Sequence, residues 1–299
     1  MIYLVIVTYN RKELLLRLLK KIFSQKNELL NVVIVDNNSQ DLTKSYIEDN
    51  FIYFNQIQWL DLQDNLGGAG GFYEGIKYVF EKNAEWIWIM DDDGYPDESC
   101  LQKLFSTMIE KKLEAISPLQ IDICNHNQLA FPVRLNKKQI TGSVHQLFNY
   151  KFLYREANLF NGFLFNRSVV KKVGLPKKEL FIRGDEVEYT KRLIKNNIKF
   201  GTLISAKFYH PSDEGERVLM LAGLITTRDA HSEFKNYYMF RNRAVAFIED
   251  GNIWLIPLDF IRYIYYFMIF KKFDWRSLKL WCIATYDGIK GKLGRNPKY

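Results

Sequence analysis

The sequence predicts an α/β fold, with a mostly parallel sheet flanked by helices and a C-terminal helical extension. Three observations carry this. Short β-branched runs alternate with segments of helical period over roughly the first two thirds of the chain. One apolar run, Ile87-Trp88-Ile89-Met90, ends abruptly in Asp91-Asp92-Asp93, as an interior strand does when its tip emerges at a cleft. After about residue 212 the alternation stops and only helical patterns follow.

Taken in order, Tyr3–Val7 and Val32–Val35 are β-branched strands, and Lys12–Phe23 between them carries leucines at helical spacing. This strand–helix–strand unit opens a parallel sheet. Asp41–Asn50 is expected as a second helix, Ile57–Leu60 as a third strand, and Gly70–Lys82 as a helix feeding the strand Trp86–Met90. Leu101–Lys111 is a helix and Ala115–Leu119 a strand; residues 125–149 are less regular and suit a hairpin-bearing excursion. Leu159–Asn166 reads as a strand, with a helix starting at Ser168. Val187–Lys195 is a helix, and Lys199–Ser205 a strand leading to Phe208-Tyr209-His210-Pro211. Beyond a soft boundary at 212–231, helices are expected over Ser232–Glu249, Trp254–Phe270 and Trp275–Lys290.

The 299 residues suffice for one large α/β domain with an appendage or for two small domains, and 47% hydrophobic content excludes wholesale disorder. A net charge of +8 favours a phosphorylated substrate, an anionic membrane surface or a polyanion; no nucleic-acid motif accompanies it, so DNA and RNA are discounted. Cys100, Cys124 and Cys282 lie far apart, which argues for a reducing compartment and against a disulfide frame or zinc site. The N-terminal stretch reads as a strand without a signal peptide's basic lead, and no apolar run reaches membrane-spanning length. A cytoplasmic protein is expected, with attachment to the inner face of the cell membrane as an added option.

Four places carry chemistry. Three adjacent carboxylates repel one another unless a cation shares them. Alternation along an extended chain lets Asp91 and Asp93 face one way while Asp92 faces another. The tips of the first two strands, Thr8-Tyr9-Asn10-Arg11 and Asp36-Asn37-Asn38-Ser39, form a hydrogen-bonding rim. There Asp36 can accept from an imide N–H and Arg11 can meet a base or phosphate; helix capping by Asn10, Ser39 and Asp41 is the alternative. Asp64-Asn65-Leu66-Gly67-Gly68-Ala69-Gly70-Gly71 places four glycines in five positions at a helix start. That favours close backbone approach by an anion, without the spacing of a Walker or Rossmann loop. Arg183-Gly184-Asp185-Glu186 puts acids in a first helical turn, where a carboxylate stays ionised and can act as a general base.

Read together, VTYNR, VDNNS, DNLGGAGGF and WIWIMDDDGYPD resemble, in this order, the inverting family 2 glycosyltransferases with a GT-A fold. The glycine loop is similar to the subgroup of bacterial galactofuranosyltransferases, and some rhamnosyltransferases share much of the pattern. The resemblance spans roughly residues 1–245 and implies a nucleotide-diphospho-sugar transferase. Residues 1–215 would form its catalytic domain and 216–299 a helical region.

By that resemblance Thr8, Asn10, Arg11 and Asp36 match uridine-binding positions, and Asp64, Asn65, Gly67 and Gly68 lie where the donor is contacted. Asp91, Asp93 and His210 match the ligands of a divalent metal, Mn²⁺ or Mg²⁺, with the histidine tilting the choice toward Mn²⁺. Asp92 would touch ribose or sugar. Glu186 matches the base, with Asp185 as the alternative, and Glu188 with Arg192 a helical pair.

The implied reaction transfers galactofuranose from UDP-galactofuranose to a glycan, expected to be lipid-linked, in O-antigen, capsule or cell-wall synthesis. A dTDP-rhamnose donor, or a non-catalytic glycan-binding subunit, are the other readings. Asn236-Tyr237-Tyr238-Met239-Phe240-Arg241-Asn242-Arg243 is similar to a stretch of the subgroup in which Arg241 or Arg243 could meet a phosphate, or the helix could simply pack. The aromatic and cationic mixture after Trp254 suits either an anionic bilayer surface or packing against protein.

Overall fold

A computed structural model describes residues 1–25, 30–136, 139–212 and 215–299. Parts of the expected excursion (137–138) and of the soft boundary (213–214) lie outside the described residues. The chain divides into two compact units, one of residues 1–176 and 189–212, the other of 177–188 and 213–299.

In the first unit, strand β1 (Ile2–Thr8), helix α1 (Lys12–Phe23), β2 (Leu30–Asp36), α2 (Thr43–Asn50) and β3 (Ile57–Asp61) follow the expected order. Next come α3 (Gly67–Glu81), β4 (Trp86–Asp91), the two-residue β5 (Tyr95–Pro96), α4 (Cys100–Glu110) and β6 (Ala115–Asp122). The excursion holds β7 (Gln128–Arg134), β8 (Ile140–Ser143) and β9 (Phe152–Tyr154), before β10 (Asn161–Asn166), α5 (Arg167–Val173) and β11 (Gly201–His210), while α6 (Asp185–Lys195) begins in the second unit and ends in the first. The sheet runs β3-β2-β1-β4-β10-β6-β11-β5. The β1–β2, β2–β3, β1–β4 and β6–β11 pairs are parallel, and β10 is antiparallel to both its neighbours.

β1 shows why the sequence reads as a central parallel strand. All seven residues are buried: Ile2, Leu4 and Ile6 face the leucines of α1, while Tyr3, Val5 and Val7 face Phe72, Ile76 and Val79 of α3. α3 approaches closely because it carries glycines on that side. A Cβ on Gly71 would lie 2.5 Å from Val7, and one on Gly75 would lie 2.4 Å from Val5 and 2.7 Å from Val35. Part of the glycine pattern assigned to anion approach is therefore a helix-to-sheet contact. Of the four loop glycines only Gly67 has positive φ, +71°.

The second unit contains β12 (Arg217–Met220), β13 (Ile225–Arg228), α7 (Glu233–Glu249), α8 (Leu255–Ile264), a π-helical turn at Tyr265–Phe270 and α9 (Trp275–Ile289). The antiparallel β12–β13 hairpin corrects the expectation of helices alone. Its eight-residue run Val218–Ile225 has no polar residue, a pattern that periodicity cannot assign over so short a length. Val218, Met220 and Ile225 pack on an aromatic core of Tyr237, Tyr238, Tyr263, Tyr266, Phe267 and Trp281. α9 lies tight on α7, since a Cβ on Gly288 would stand 2.5 Å from the Arg241 carbonyl.

Candidate active site

Three expected strand tips converge at one sheet edge. β1 pairs with β2 on one side and β4 on the other, so Thr8 lies beside Asp36 and Val7 beside Asp91. The Thr8 hydroxyl donates to Asp92 at 2.7 Å, and Arg11 donates to Asp92 at 3.0 Å and Asp93 at 2.8 Å. Asp92 is buried between half-buried Asp91 and Asp93, as alternation requires. Burial pushes the Asp92 carboxyl up to about 6, against the opposing pull of Arg11 and Thr8. Thr8 and Arg11, expected on uridine, are thus engaged with the acid run.

The loops after β1 and β2 are stitched to each other. Asn10 N–H donates to Ser39 Oγ, Asn10 Oδ1 accepts from Gln40 N–H, and Lys12 N–H donates to Asp41. Asp36 accepts from Ser39 N–H at 2.8 Å. Capping therefore happens across loops and not within one helix. Asn37, which sequence reasoning passed over as a site residue, is fully buried. Its amide donates to the Gly67 carbonyl and its oxygen accepts from Leu66 N–H, fastening the glycine loop to the end of β2. Asn65 Oδ1 accepts from Gly67 N–H at 2.8 Å. Gly68 has open space where a Cβ would be, and Asp64 is exposed beside it.

Asp93 and His210 meet because β5 pairs antiparallel with the end of β11, Tyr95 opposite Tyr209 and Pro96 opposite Phe208. Gly94 makes that return possible: a Cβ there would stand 2.3 Å from the Phe208 ring and 2.8 Å from the Tyr209 carbonyl. His210 Nε2 lies 3.0 Å from Asp93 Oδ1, a buried oxygen with no hydrogen bond of regular geometry. His210 Nδ1 lies 2.5 Å from the Pro211 carbonyl, which can only accept, so Nδ1 carries a proton. In a neutral imidazole Nε2 is then a lone pair facing a carboxylate oxygen, and two acceptors at that distance call for a shared proton or cation. Burial alone would raise the Asp93 carboxyl, but a proton shared with His210, together with the Arg11 charge, outweighs it and holds the group below its ordinary range.

The donor set fits a hard or borderline divalent cation. Among the described residues no three His, Cys, Asp or Glu side chains are arranged to close on a metal, so Asp91, Asp93 and His210 do not form a preformed cage. A cation here would take part of its coordination from water and substrate phosphate, as Mg²⁺ commonly does.

The second acid set belongs to the second unit. Leu180–Gly184 leads into α6, where Asp185 is buried and Glu186 half-buried. Burial pushes Asp185 up to about 7, with the neighbouring Glu186 charge adding to the rise. Arg183 makes a forked ion pair with Glu216 at 3.0 and 2.6 Å, and Glu188 lies 3.6 Å from Lys177. In the first unit, Arg192 donates to the carbonyls of Val173 and Leu175 and stacks on Tyr189. Arg241 is fully buried and spent on backbone carbonyls, and Arg243 reaches Asp259 at 3.3 Å. Arg241 is thereby closed to the phosphate contact considered for it, and the packing alternative holds.

This sheet, with its acids at the strand tips, is the GT-A arrangement of nucleotide-sugar transferases. Residues 3–174 match the glycosyl transferase family 2, and the chain belongs to that family and is a glycosyltransferase. It is 32% identical to the galactofuranosyltransferase GlfT1 of Mycolicibacterium smegmatis over 283 residues, covering 93% of this chain and 92% of that one. It is 26% identical to the dTDP-rhamnosyl transferase RfbF of Shigella flexneri, covering 98% and 97%. The S. aureus TarS 1-349 structure in complex with UDP-GlcNAc superposes with a TM-score of 0.56 at 18% identity, covering 97% of this chain and 80% of that one.

Proposed function

We propose that the protein transfers galactofuranose from UDP-galactofuranose to a lipid-linked glycan during bacterial surface polysaccharide synthesis, with inversion at the anomeric carbon. The Asp93–His210 pair carries the metal-dependent part of this reading: a buried carboxylate oxygen 3.0 Å from an imidazole nitrogen at the carboxyl end of the sheet. Likeness to a galactofuranosyltransferase over most of both chains supports the donor.

Asp93 and His210, aided by Asp91, would hold Mn²⁺ or Mg²⁺, which when bound offsets charge building on the departing diphosphate. Thr8 and Arg11 keep Asp92 and Asp93 in place. Asn10, Asp36, Asp64, Asn65, Gly67 and Gly68 line the loops that would receive the nucleotide and sugar. Glu186, with Asp185 as the alternative, takes the acceptor hydroxyl proton as the new C–O bond forms and the bond to UDP breaks.

Among the described residues no helix is long and apolar enough to cross a membrane. Trp254, Leu258 and Ile261 line up exposed at helical spacing, and exposed Phe273 and Trp275 lie beside Lys271 and Lys272. This surface supports a peripheral site on the cytoplasmic face of an anionic bilayer. Sedimentation with phosphatidylglycerol vesicles tests it, and Leu258→Asp should reduce the bound fraction.

The deciding experiment offers the Mn²⁺-loaded protein UDP-galactofuranose, UDP-glucose and dTDP-rhamnose with a polyprenyl-diphosphate-linked glycan. Turnover of UDP-galactofuranose alone is expected. Turnover of dTDP-rhamnose instead would establish the rhamnosyltransferase reading, which the RfbF likeness keeps open. UDP binding without turnover of any donor would favour a glycan-binding subunit.

A further inference from the structure

The turn that delivers the second acid pair is strained in an unusual way. Phe181 has φ +67° and ψ −70°, and Ile182 N–H donates to the Leu180 carbonyl at 2.8 Å. This is a γ-turn of the left-handed-φ kind, rare in proteins and rarer at a bulky residue. Arg183 follows at φ +64° and Gly184 at φ +90°, so three of four consecutive residues leave the favoured region just before Asp185. Such conformations persist only where the surroundings over-determine them, and they collect at functional sites.

The surroundings here are two side chains of α7. The Asn242 amide nitrogen lies 2.8 Å from the Leu180 carbonyl, 2.9 Å from that of Ile182 and 2.7 Å from that of Arg183, so its two N–H groups serve three acceptors. Arg241 Nε donates to Asn242 Oδ1 at 2.9 Å, which fixes which way the amide faces. The same guanidinium donates to Leu180 at 2.9 Å, Glu179 at 3.4 Å and Gly294 at 2.5 Å, and packs on the Tyr238 ring, against which Phe181 also lies. A Cβ on Gly184 would touch that of Asn242 at 3.4 Å. Both polar side chains are buried, and apart from the Arg241 Nε bond to Asn242 their donors go to main-chain oxygens of residues 179–183 and Gly294.

We infer that Arg241 and Asn242 are positioning residues for the reaction: they hold the 180–184 turn in its high-energy form and so fix where the Asp185 and Glu186 carboxylates stand. The inference rests on the proposed reading that this acid pair supplies the base. Without the clamp the turn relaxes toward negative φ, and α6 begins with its acids displaced. The sheet-edge residues that would take the donor belong to other elements and are untouched by the change.

The test is Asn242→Ala in the full-length, Mn²⁺-loaded protein. Expected are a fall in kcat of about a hundredfold, the scale of a 1 Å misplacement at a reacting centre, with unchanged UDP affinity by calorimetry. Amide hydrogen exchange should quicken across 181–188 and nowhere else. Asn242→Ser, which keeps one short donor, should lose less in the same direction, and it serves should the alanine variant fail to fold. A variant with wild-type kcat overturns the inference, whatever its exchange pattern. So does a variant whose loss falls on UDP affinity or on the melting temperature of the whole protein. Asp185→Asn and Glu186→Gln run in parallel separate the two levels. If either is inactive while Asn242→Ala turns over normally, the clamp is wrong and the base assignment stands; if both turn over normally, the base assignment itself is wrong.

Discussion

The sheet-edge acids and the acid turn, each proposed to take part in the reaction, are built in opposite ways. Asp91 to Asp93 end a regular buried strand, and their surroundings come from neighbouring strand tips in standard register. Asp185 and Glu186 follow a turn with three left-handed residues, held by side chains more than fifty positions away. A group at the end of a regular strand takes its place from the sheet, which is common to the whole fold. A group on a strained turn takes its place from particular partners, and single substitutions can move it.

Four experiments sharpen or break that contrast. The largest effect is expected from Glu186→Gln, which should cut turnover by about 10² to 10⁴, the usual worth of a general base, while UDP still binds. Retained turnover would transfer the role to Asp185. Next, Asp93→Ala should remove the cation dependence of UDP binding, measured by titration with and without Mn²⁺; the same variant should leave exchange across 181–188 unaltered. Third, Gly94→Ala forces a methyl into the Phe208 ring. An overpacking cost of about 1–3 kcal/mol is expected, read as a lower denaturation midpoint together with weaker Mn²⁺ binding. A neutral result would mean that β5 can shift without cost to the site.

The smallest effect concerns pH. Asp185 has a folded-state pKa raised to about 7, chiefly by burial, above the unfolded value of about 4. Its protonated form is the one the fold favours, so its contribution to stability is complete below about pH 4 and is lost as pH rises through 7. Melting temperatures between pH 5 and 8 should therefore fall more in the wild type than in Asp185→Asn. Parallel curves would show that the buried carboxyl is better solvated than its surroundings indicate.

The same contrast governs what could be read from sequence. The order of elements in the first unit, the acid run and the histidine closing the last long strand were legible because each leaves a local mark, such as an apolar run with a charged end. The glycine loop was legible as a feature, but not that Gly71 within it, like Gly75 beyond it, answers to valines of β1 and β2 far off in the chain. Gly94 belonged to a quoted motif, yet nothing nearby told that Phe208 would fill the space beside it. Asn37 stood in another motif beside Asn38, and no local mark in the sequence sets the two apart. The β12–β13 hairpin escaped because eight apolar residues without alternation carry no period. The clamp was least accessible, because an arginine and an asparagine inside an aromatic helix gave no hint that backbone carbonyls around residue 180 were their partners.

Arg11 has one last consequence. Its guanidinium already spans two of the three clustered aspartates, so these acids carry a built-in counterion before any metal arrives. On the proposed metal-dependent reading, a chelator should therefore stop turnover while leaving the melting temperature unchanged. A metal ion at the proposed site would not have to rescue a self-repelling cluster; it would compete with a tethered cation.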